Sequence, residues 1–129
     1  MCECVNCGQH ARDKHHCVFR SKVKALTKCP KNIVDLCGEC HYDIHHRAKS
    51  NIDIKMKLRF QNYLEESWLK NELTYEEIKD TLKISDANVR RILKTCTLKN
   101  GYYQREEVIR ECMGGRLYTL EDFNRGEKV

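Results

Sequence analysis

Cysteine and histidine are concentrated near the start of this sequence. All six histidines and seven of the nine cysteines lie within the first 46 residues. Thiolate sulfur and imidazole nitrogen are donors that transition metals prefer, so this density predicts metal binding. The donors sort by type into two sets, which predicts two chemically different sites rather than one mixed site.

Two Cys-x-x-Cys pairs predict a structural zinc site. The pairs are Cys4 with Cys7 and Cys37 with Cys40. Four thiolates complete a tetrahedral coordination sphere and leave no open position, so such an ion stabilises a fold rather than reacting. Cys2 remains an alternative to Cys4 as a ligand. The remaining cysteines are predicted to be ordinary thiols: Cys17, Cys29, Cys96 and Cys112.

The histidines predict a second, open metal site. The segment around the second cysteine pair is predicted to be a helix, on which His41 and His45 share one face. Cys40 and His41 lie about 100° apart around such a helix, so they cannot readily reach one ion. The His15-His16 pair can supply a third imidazole, because successive strand residues face opposite sides. Three neutral ligands leave coordination positions open, as catalytic sites require.

The elements around these residues predict a small α+β protein. Residues 47–73 contain a predicted helix with one apolar face, and Thr74 with Glu77 forms a capping box that starts another. A further short helix over 86–94, an Asn-Gly hairpin near residue 100 and a helix over 105–112 follow. The apolar face of the first helix consists of Met56, Phe60, Tyr63, Leu64 and Trp68.

Length and charge restrict the class of protein. The 129 residues fit one domain or two very small ones. The net charge of +5 fits a polyanion such as nucleic acid, although this charge alone is weak support. An odd cysteine count argues against a disulfide scaffold, and reduced thiols favour a cytoplasmic location. With no apolar leader and no run of about 20 apolar residues, we expect no membrane partner.

The first third of the chain resembles the HNH endonuclease family, which has the ββα-metal (His-Me finger) fold. The resemblance rests on His15-His16, on Asn32 in Asn-Ile-Val-Asp-Leu-Cys, and on Cys40-His41-x-x-x-His45. The paired Cys-x-x-Cys motifs resemble the zinc-stapled branch of that family. Roughly residues 4–46 are covered.

This resemblance implies a role for each motif residue. His15, His41 and His45 would hold a catalytic divalent ion, namely Mg²⁺, Mn²⁺, Ni²⁺ or Zn²⁺. His16 would be the general base that activates water, and Asn32 would hold the loop that orients it. Arg20 sits where many members of the family carry a basic residue near the scissile phosphate.

The C-terminal elements resemble the winged helix-turn-helix of excisionase-like and MerR-like proteins. In that arrangement the second helix enters the major groove of DNA. The resemblance implies that this helix contacts bases and phosphates. A helical packing domain without DNA contact is the alternative. The residues suited to DNA contact are Asn88, Arg90, Arg91 and Lys94.

Together these features predict a metal-dependent endonuclease that hydrolyses phosphodiester bonds of double-stranded DNA. Its predicted parts are an HNH domain over 1–50, a linker helix over 51–73, and a winged helix-turn-helix with a tail over 74–129. Such a layout is expected of a phage or mobile element acting in a bacterial host. A monomer should nick one strand, and a homodimer could cut both. The alternative functions are a DNA-binding regulator and a phage packaging accessory protein, each with an inactive finger.

Overall fold

A computed structural model describes residues 2–47 and 51–124 of the chain. In those ranges it contains six α-helices and two small antiparallel sheets, which confirms the α+β class. The predicted boundary at residue 50 and residues 125–129 of the predicted tail lie outside the described residues. The strands are β1 (Asp13–His16), β2 (Ile33–Leu36), β3 (Glu72–Leu73), β4 (Leu98–Lys99) and β5 (Tyr102–Gln104); the helices are α1 (Gly38–His46), α2 (Ile52–Ser67), α3 (Tyr75–Leu82), α4 (Asp86–Leu93), α5 (Arg105–Cys112) and α6 (Leu120–Asn124).

The N-terminal module consists of a two-stranded sheet followed by a helix. Strands β1 and β2 pair in antiparallel register, with His15 opposite Val34 and His16 opposite Ile33. Their connection contains two short 3-10 turns, Lys24–Leu26 and Pro30–Asn32. Strand β2 ends at Leu36, Cys37 is the N-cap of α1, and α1 begins at the next residue. Because no loop separates the strand from the helix, the motif residues that they carry stay close together.

Helix α2 forms the centre of the apolar core. Met56, Phe60, Leu64 and Trp68 are at most 3% exposed, as the predicted apolar face requires. The helix ends at Ser67 rather than continuing to residue 73, because the chain turns there into β3. The guanidinium of Arg105, on α5, donates to main-chain carbonyls at this end, which satisfies acceptors that have no partner within the helix.

The C-terminal unit forms from local signals that the sequence displays. Thr74 and Glu77 make the reciprocal hydrogen bonds of a capping box at the start of α3. Asn100 and Gly101 have φ values of 54° and 83° and join β4 to β5, as an Asn-Gly hairpin predicts. Strand β5 also pairs with β3, so the sheet order is β3-β5-β4.

One apolar core runs through the described residues of the N-terminal module (residues 2–47, called the finger below), of α2 and of the C-terminal unit (residues 72–124). Leu26 of the β1–β2 connection, Ile92 of α4 and Val108 of α5 all belong to it. The segment before α6 is held to α2 by Gln61, whose side-chain amide accepts from the Tyr118 N–H at 2.8 Å and donates to its carbonyl at 2.9 Å. Among the described helices, none is both long and apolar enough to cross a lipid bilayer.

Candidate metal centres

The four cysteines of the two Cys-x-x-Cys pairs form one cluster. The sulfur atoms of Cys4, Cys7, Cys37 and Cys40 all lie within 4.8 Å of one another. Cys2 is exposed and does not belong to the cluster, which settles the choice between Cys2 and Cys4. The protein therefore has a tetra-cysteine site that could hold a structural metal ion such as zinc.

Local hydrogen bonds bring the two cysteine pairs together. Cys37 is the N-cap of α1, and its sulfur accepts from the Cys40 N–H at 3.4 Å. In the first pair, the Gly8 N–H donates to the Cys4 carbonyl at 2.9 Å and closes a turn. The Asn6 amide donates to the Cys40 sulfur at 3.3 Å, which links the two pairs. The turn at Cys4, the cap at Cys37 and the hydrogen bond from Asn6 to Cys40 together hold the four cysteines in one place.

The electrostatics of this cluster suit a bound cation. Burial raises the pKa of the Cys40 thiol to about 12, and its three neighbouring thiols add to the rise. Burial also opposes ionisation of Cys4, but backbone N–H groups of Cys37, Cys7 and Asn6 lower its pKa to about 6. Four crowded sulfurs cannot all ionise without a compensating positive charge, and a metal ion supplies that charge.

Three histidines form a second cluster on the other side of α1. Ring nitrogens of His15, His41 and His45 lie within 4.8 Å of one another, close enough to hold one metal ion. The centres of the His15 and His41 rings are 5.3 Å apart, and those of His41 and His45 are 5.2 Å apart. Although Cys40 and His41 are neighbours in the chain, they belong to different clusters, as the helical geometry predicts.

Two features of the imidazole cluster fit a metal. The Nε2 atom of His15 is buried and has no hydrogen-bond partner among the residues that the structure describes, a costly state for a polar atom that coordination would relieve. Burial, followed by the nearby His41 and His45 rings, lowers the pKa of His15 to about 4 and keeps the ring neutral, the form that binds metals. The Nδ1 atom of His41 lies 3.1 Å from the Asp13 carboxylate, which leaves its Nε2 free for a metal.

His16 lies beside this cluster without belonging to it. Its Nε2 is 2.9 Å from the Thr27 carbonyl oxygen. Since a carbonyl only accepts, this contact assigns the proton to Nε2 and leaves Nδ1 of the neutral ring as a free base. Asn32, fully buried, accepts from the Val18 N–H at 2.8 Å and donates to the carbonyls of Val18 and Leu26 at 3.2 Å each. Asn32 therefore stabilises the β1–β2 connection, which contains Thr27, the hydrogen-bond partner of His16.

An open cleft contains both the cluster and His16. Arg20 is exposed at its edge. The Phe19 ring packs against His15 and His45 at centroid distances of 5.8 and 5.7 Å. Behind that ring lies the buried ammonium of Lys57, 4.0 Å from the Phe19 centroid and paired with Asp53 on the same helix. The cleft thus has a cationic edge and a wall supported by α2.

The residues predicted to contact DNA lie on α4 and at its end, outside this cleft. Arg90, Arg91 and Lys94 are exposed, whereas Asn88 is half-buried and accepts from the Arg91 guanidinium at 3.2 Å. The four left-over cysteines, Cys17, Cys29, Cys96 and Cys112, lie outside the tetra-cysteine cluster. Three of them are buried and Cys96 is half-buried.

Sequence reasoning did not identify Asp13, Phe19 or Lys57 as parts of the site. Side chains alternate between the two faces of a strand, so Asp13 shares a face with His15, two residues later. That spacing was a signal for Asp13. Phe19 and Lys57 carried no such signal, because their positions depend on how α2 packs against the finger.

Comparisons of the chain with protein-family models, with curated proteins and with solved structures found no match.

Proposed function

We propose that this protein is a metal-dependent HNH endonuclease that hydrolyses phosphodiester bonds in double-stranded DNA. One observation carries the proposal: three imidazoles converge in an open cleft, and a fourth, that of His16, lies beside them outside their cluster. A purely structural metal site has no use for an adjacent free base. Phosphodiester hydrolysis needs such a base, together with positive charge at the phosphate.

The residues that would hold the catalytic ion are His15, His41 and His45. A divalent ion bound there supplies Lewis-acid stabilisation of the negative charge that develops on the phosphate and the leaving oxygen. Asp13 positions the His41 ring through its Nδ1, as outer carboxylates do for metal-ligating histidines.

The base in this proposal is Nδ1 of His16. It accepts a proton from the attacking water, while Nε2–H donates to the Thr27 carbonyl and holds the ring. Asn32 is a positioning residue, because its three hydrogen bonds shape the connection that contains Thr27 and do not reach the cleft. Arg20, at the cleft edge, contacts a phosphate oxygen of the substrate.

In this proposal the other parts of the chain stabilise the catalytic module and bring it to DNA. The tetra-cysteine site holds zinc and substitutes for apolar core in a small module. The order of α3, α4, the β4–β5 hairpin and α5 supports a winged helix-turn-helix, with exposed cations on α4 available to DNA. Phosphates carry no base sequence, so this unit would provide the targeting.

The decisive comparison is His16→Ala against His46→Ala. His46 is an exposed histidine on the same helix as two of the proposed ligands, and it does not line the cleft. Purified variants are mixed with supercoiled plasmid and Mg²⁺, Mn²⁺ or Ni²⁺. We expect His16→Ala to lose about 100-fold or more of its cleavage rate, the usual contribution of a general base, while His46→Ala cleaves normally.

Metal content and circular dichroism of each variant accompany the assay. Equal loss in both variants, or loss of the fold in His16→Ala, would contradict the assigned base. Wild-type protein that retards plasmid without cutting it under any of these ions indicates a DNA-binding regulator. Protein that neither retards nor cuts indicates an accessory or interaction module.

A further inference from the structure

A second groove lies between the finger and the C-terminal unit, on a part of the surface separate from the histidine cleft. One wall is the β1–β2 connection, with Lys22 and Lys24, and the other includes Arg91 of α4. All three side chains are exposed. The main chain of Gly114 and Gly115 completes the lining.

The two walls of this groove are fixed relative to each other. Beneath them, Leu26 of the β1–β2 connection and Ile92 of α4 are buried in the same core. At the rim, Gly114 has a φ of +80°, and a β-carbon there would lie 3.4 Å from the Lys22 β-carbon. The chain after α5 therefore lies against the β1–β2 connection, close enough that a side chain at residue 114 would be in van der Waals contact with it.

Positive charge in the groove is available for a ligand. Among the described residues, no carboxylate forms an ion pair with Lys22, Lys24 or Arg91. Within the described part of the chain, Glu111 is the single acidic residue of the lining, and its carboxylate accepts a hydrogen bond from the Thr95 hydroxyl. Cations outnumber the single anion, so the groove favours an anionic partner.

We propose that this groove binds the phosphate backbone of duplex DNA, with the finger contributing Lys22 and Lys24 and the C-terminal unit contributing Arg91. Guanidinium and ammonium groups are the usual partners of phosphate oxygens. A continuous backbone fits better than a free phosphate, because the exposed Arg90 and Lys94 extend the positive charge along the same helix. The choice of duplex DNA rests on the proposed function.

The test measures the salt dependence of binding of the full-length, zinc-loaded protein to a fluorescent duplex, by anisotropy. Lys22→Gln and Lys24→Gln are compared with Lys28→Gln, a matched control in the same connection whose exposed side chain does not line the groove. Removing one lysine–phosphate interaction should reduce the slope of log affinity against log salt by about 1. We expect that change for Lys22→Gln and Lys24→Gln, none for Lys28→Gln, and recovery in Lys24→Arg.

The possible results separate the two proposals. If wild type binds duplex but the groove variants have the slope of Lys28→Gln, the groove assignment is wrong and the nuclease proposal is untouched. If the slope falls in the groove variants while no ion supports cleavage, the groove assignment stands and the nuclease proposal fails. If wild type does not bind duplex, both are overturned; addition of inorganic phosphate or an acidic peptide then shows whether the groove takes another anion.

Discussion

At the scale of single residues, the role of a histidine nitrogen depends on its own hydrogen-bond partners and not on the motif alone. Asp13 occupies one nitrogen of His41, and the Thr27 carbonyl occupies one nitrogen of His16. No described residue hydrogen-bonds to the buried Nε2 of His15. In His16 and His41 the bonded nitrogen is the one that carries the proton, so under the proposed function the other nitrogen is left for water or for a metal.

The first prediction concerns the carboxylate behind His41. Asp13→Asn preserves the shape and the acceptor oxygen but removes the charge that strengthens the ligand. We expect the affinity of the imidazole site for Co²⁺ or Ni²⁺ to fall about 10- to 100-fold, as is usual when such an outer partner is changed. Competition titration against a coloured chelator, with the thiolate site already filled by zinc, measures the change.

Asp35→Asn is the matched control for this change. Asp35 lies on the neighbouring strand and pairs with the exposed Lys14 instead of with an imidazole. Its replacement should leave metal affinity unchanged. Similar losses in the two variants would mean that the strands, and not the charge on His41, determine the affinity.

At the scale of elements, α2 does more than join two units. It contributes Phe60 and Leu64, both fully buried, to the core and places Lys57 behind the wall of the cleft. We predict that Leu64→Ala lowers the free energy of unfolding by about 2–5 kcal/mol, the cost of removing buried methyl groups and leaving a cavity. Urea unfolding of the zinc-loaded protein measures it.

Leu69 provides the control for this prediction. It has the same side chain five residues later but is 84% exposed. Leu69→Ala should change the free energy of unfolding by no more than about 0.5 kcal/mol, as is typical of exposed positions. A similar cost at both positions would contradict the central place of α2.

Elements that are specified locally could be predicted from the sequence. The capping box at Thr74, the Asn100-Gly101 hairpin and each of the two Cys-x-x-Cys pairs are set by residues at fixed short spacings. The expectation that the two pairs form one cluster came from the four thiolates that a structural zinc ion takes, and the cluster confirms it. The pairing of His41 with His45 followed from their i, i+4 spacing, and the choice of His15 rather than His16 as the third member came from the resemblance to the HNH family. Fixed spacing is what periodicity and capping rules detect.

Features that depend on packing between distant segments could not be predicted. The end of α2 at Ser67 follows from the turn into β3, which pairs with the distant strand β5, and the guanidinium of Arg105 caps this end from far along the chain. Helix α6 has a local signal that the sequence analysis did not use, because Thr119 and Asp122 make reciprocal hydrogen bonds like those of a capping box. The position of the segment before it could not be predicted, because the Gln61 amide that holds that segment comes from α2. The groove between Lys22 and Arg91 likewise arises only from tertiary contact.

At the scale of the whole molecule, one core joins the finger to the C-terminal unit, so we predict a single unfolding transition. Trp68 is buried beside α3, where its indole N–H donates to the Thr81 hydroxyl at 2.8 Å. Its fluorescence reports on the centre of the molecule. Co²⁺ in the tetra-cysteine site reports on the N-terminal end through its thiolate absorption. The two signals should share one urea midpoint.

Two well-separated midpoints would show that the units unfold independently and that their contact contributes little. Cys2→Ser serves as the control for the optical probe. Cys2 is exposed and outside the cluster, so its removal should leave the Co²⁺ spectrum unchanged.

The separation of sulfur and nitrogen donors has a practical consequence for anyone who isolates this protein. No residue is shared by the two clusters, so loss of the ion from the nitrogen cluster need not disturb the sulfur cluster. Under the proposed function, a chelator wash that strips only the weaker site would yield a sample that is well folded, holds one equivalent of zinc and does not cleave DNA. Such a sample would resemble a protein whose catalytic site has become inactive in evolution. Adding back a divalent salt would restore cleavage only in the stripped sample, and this distinguishes the two cases in one step.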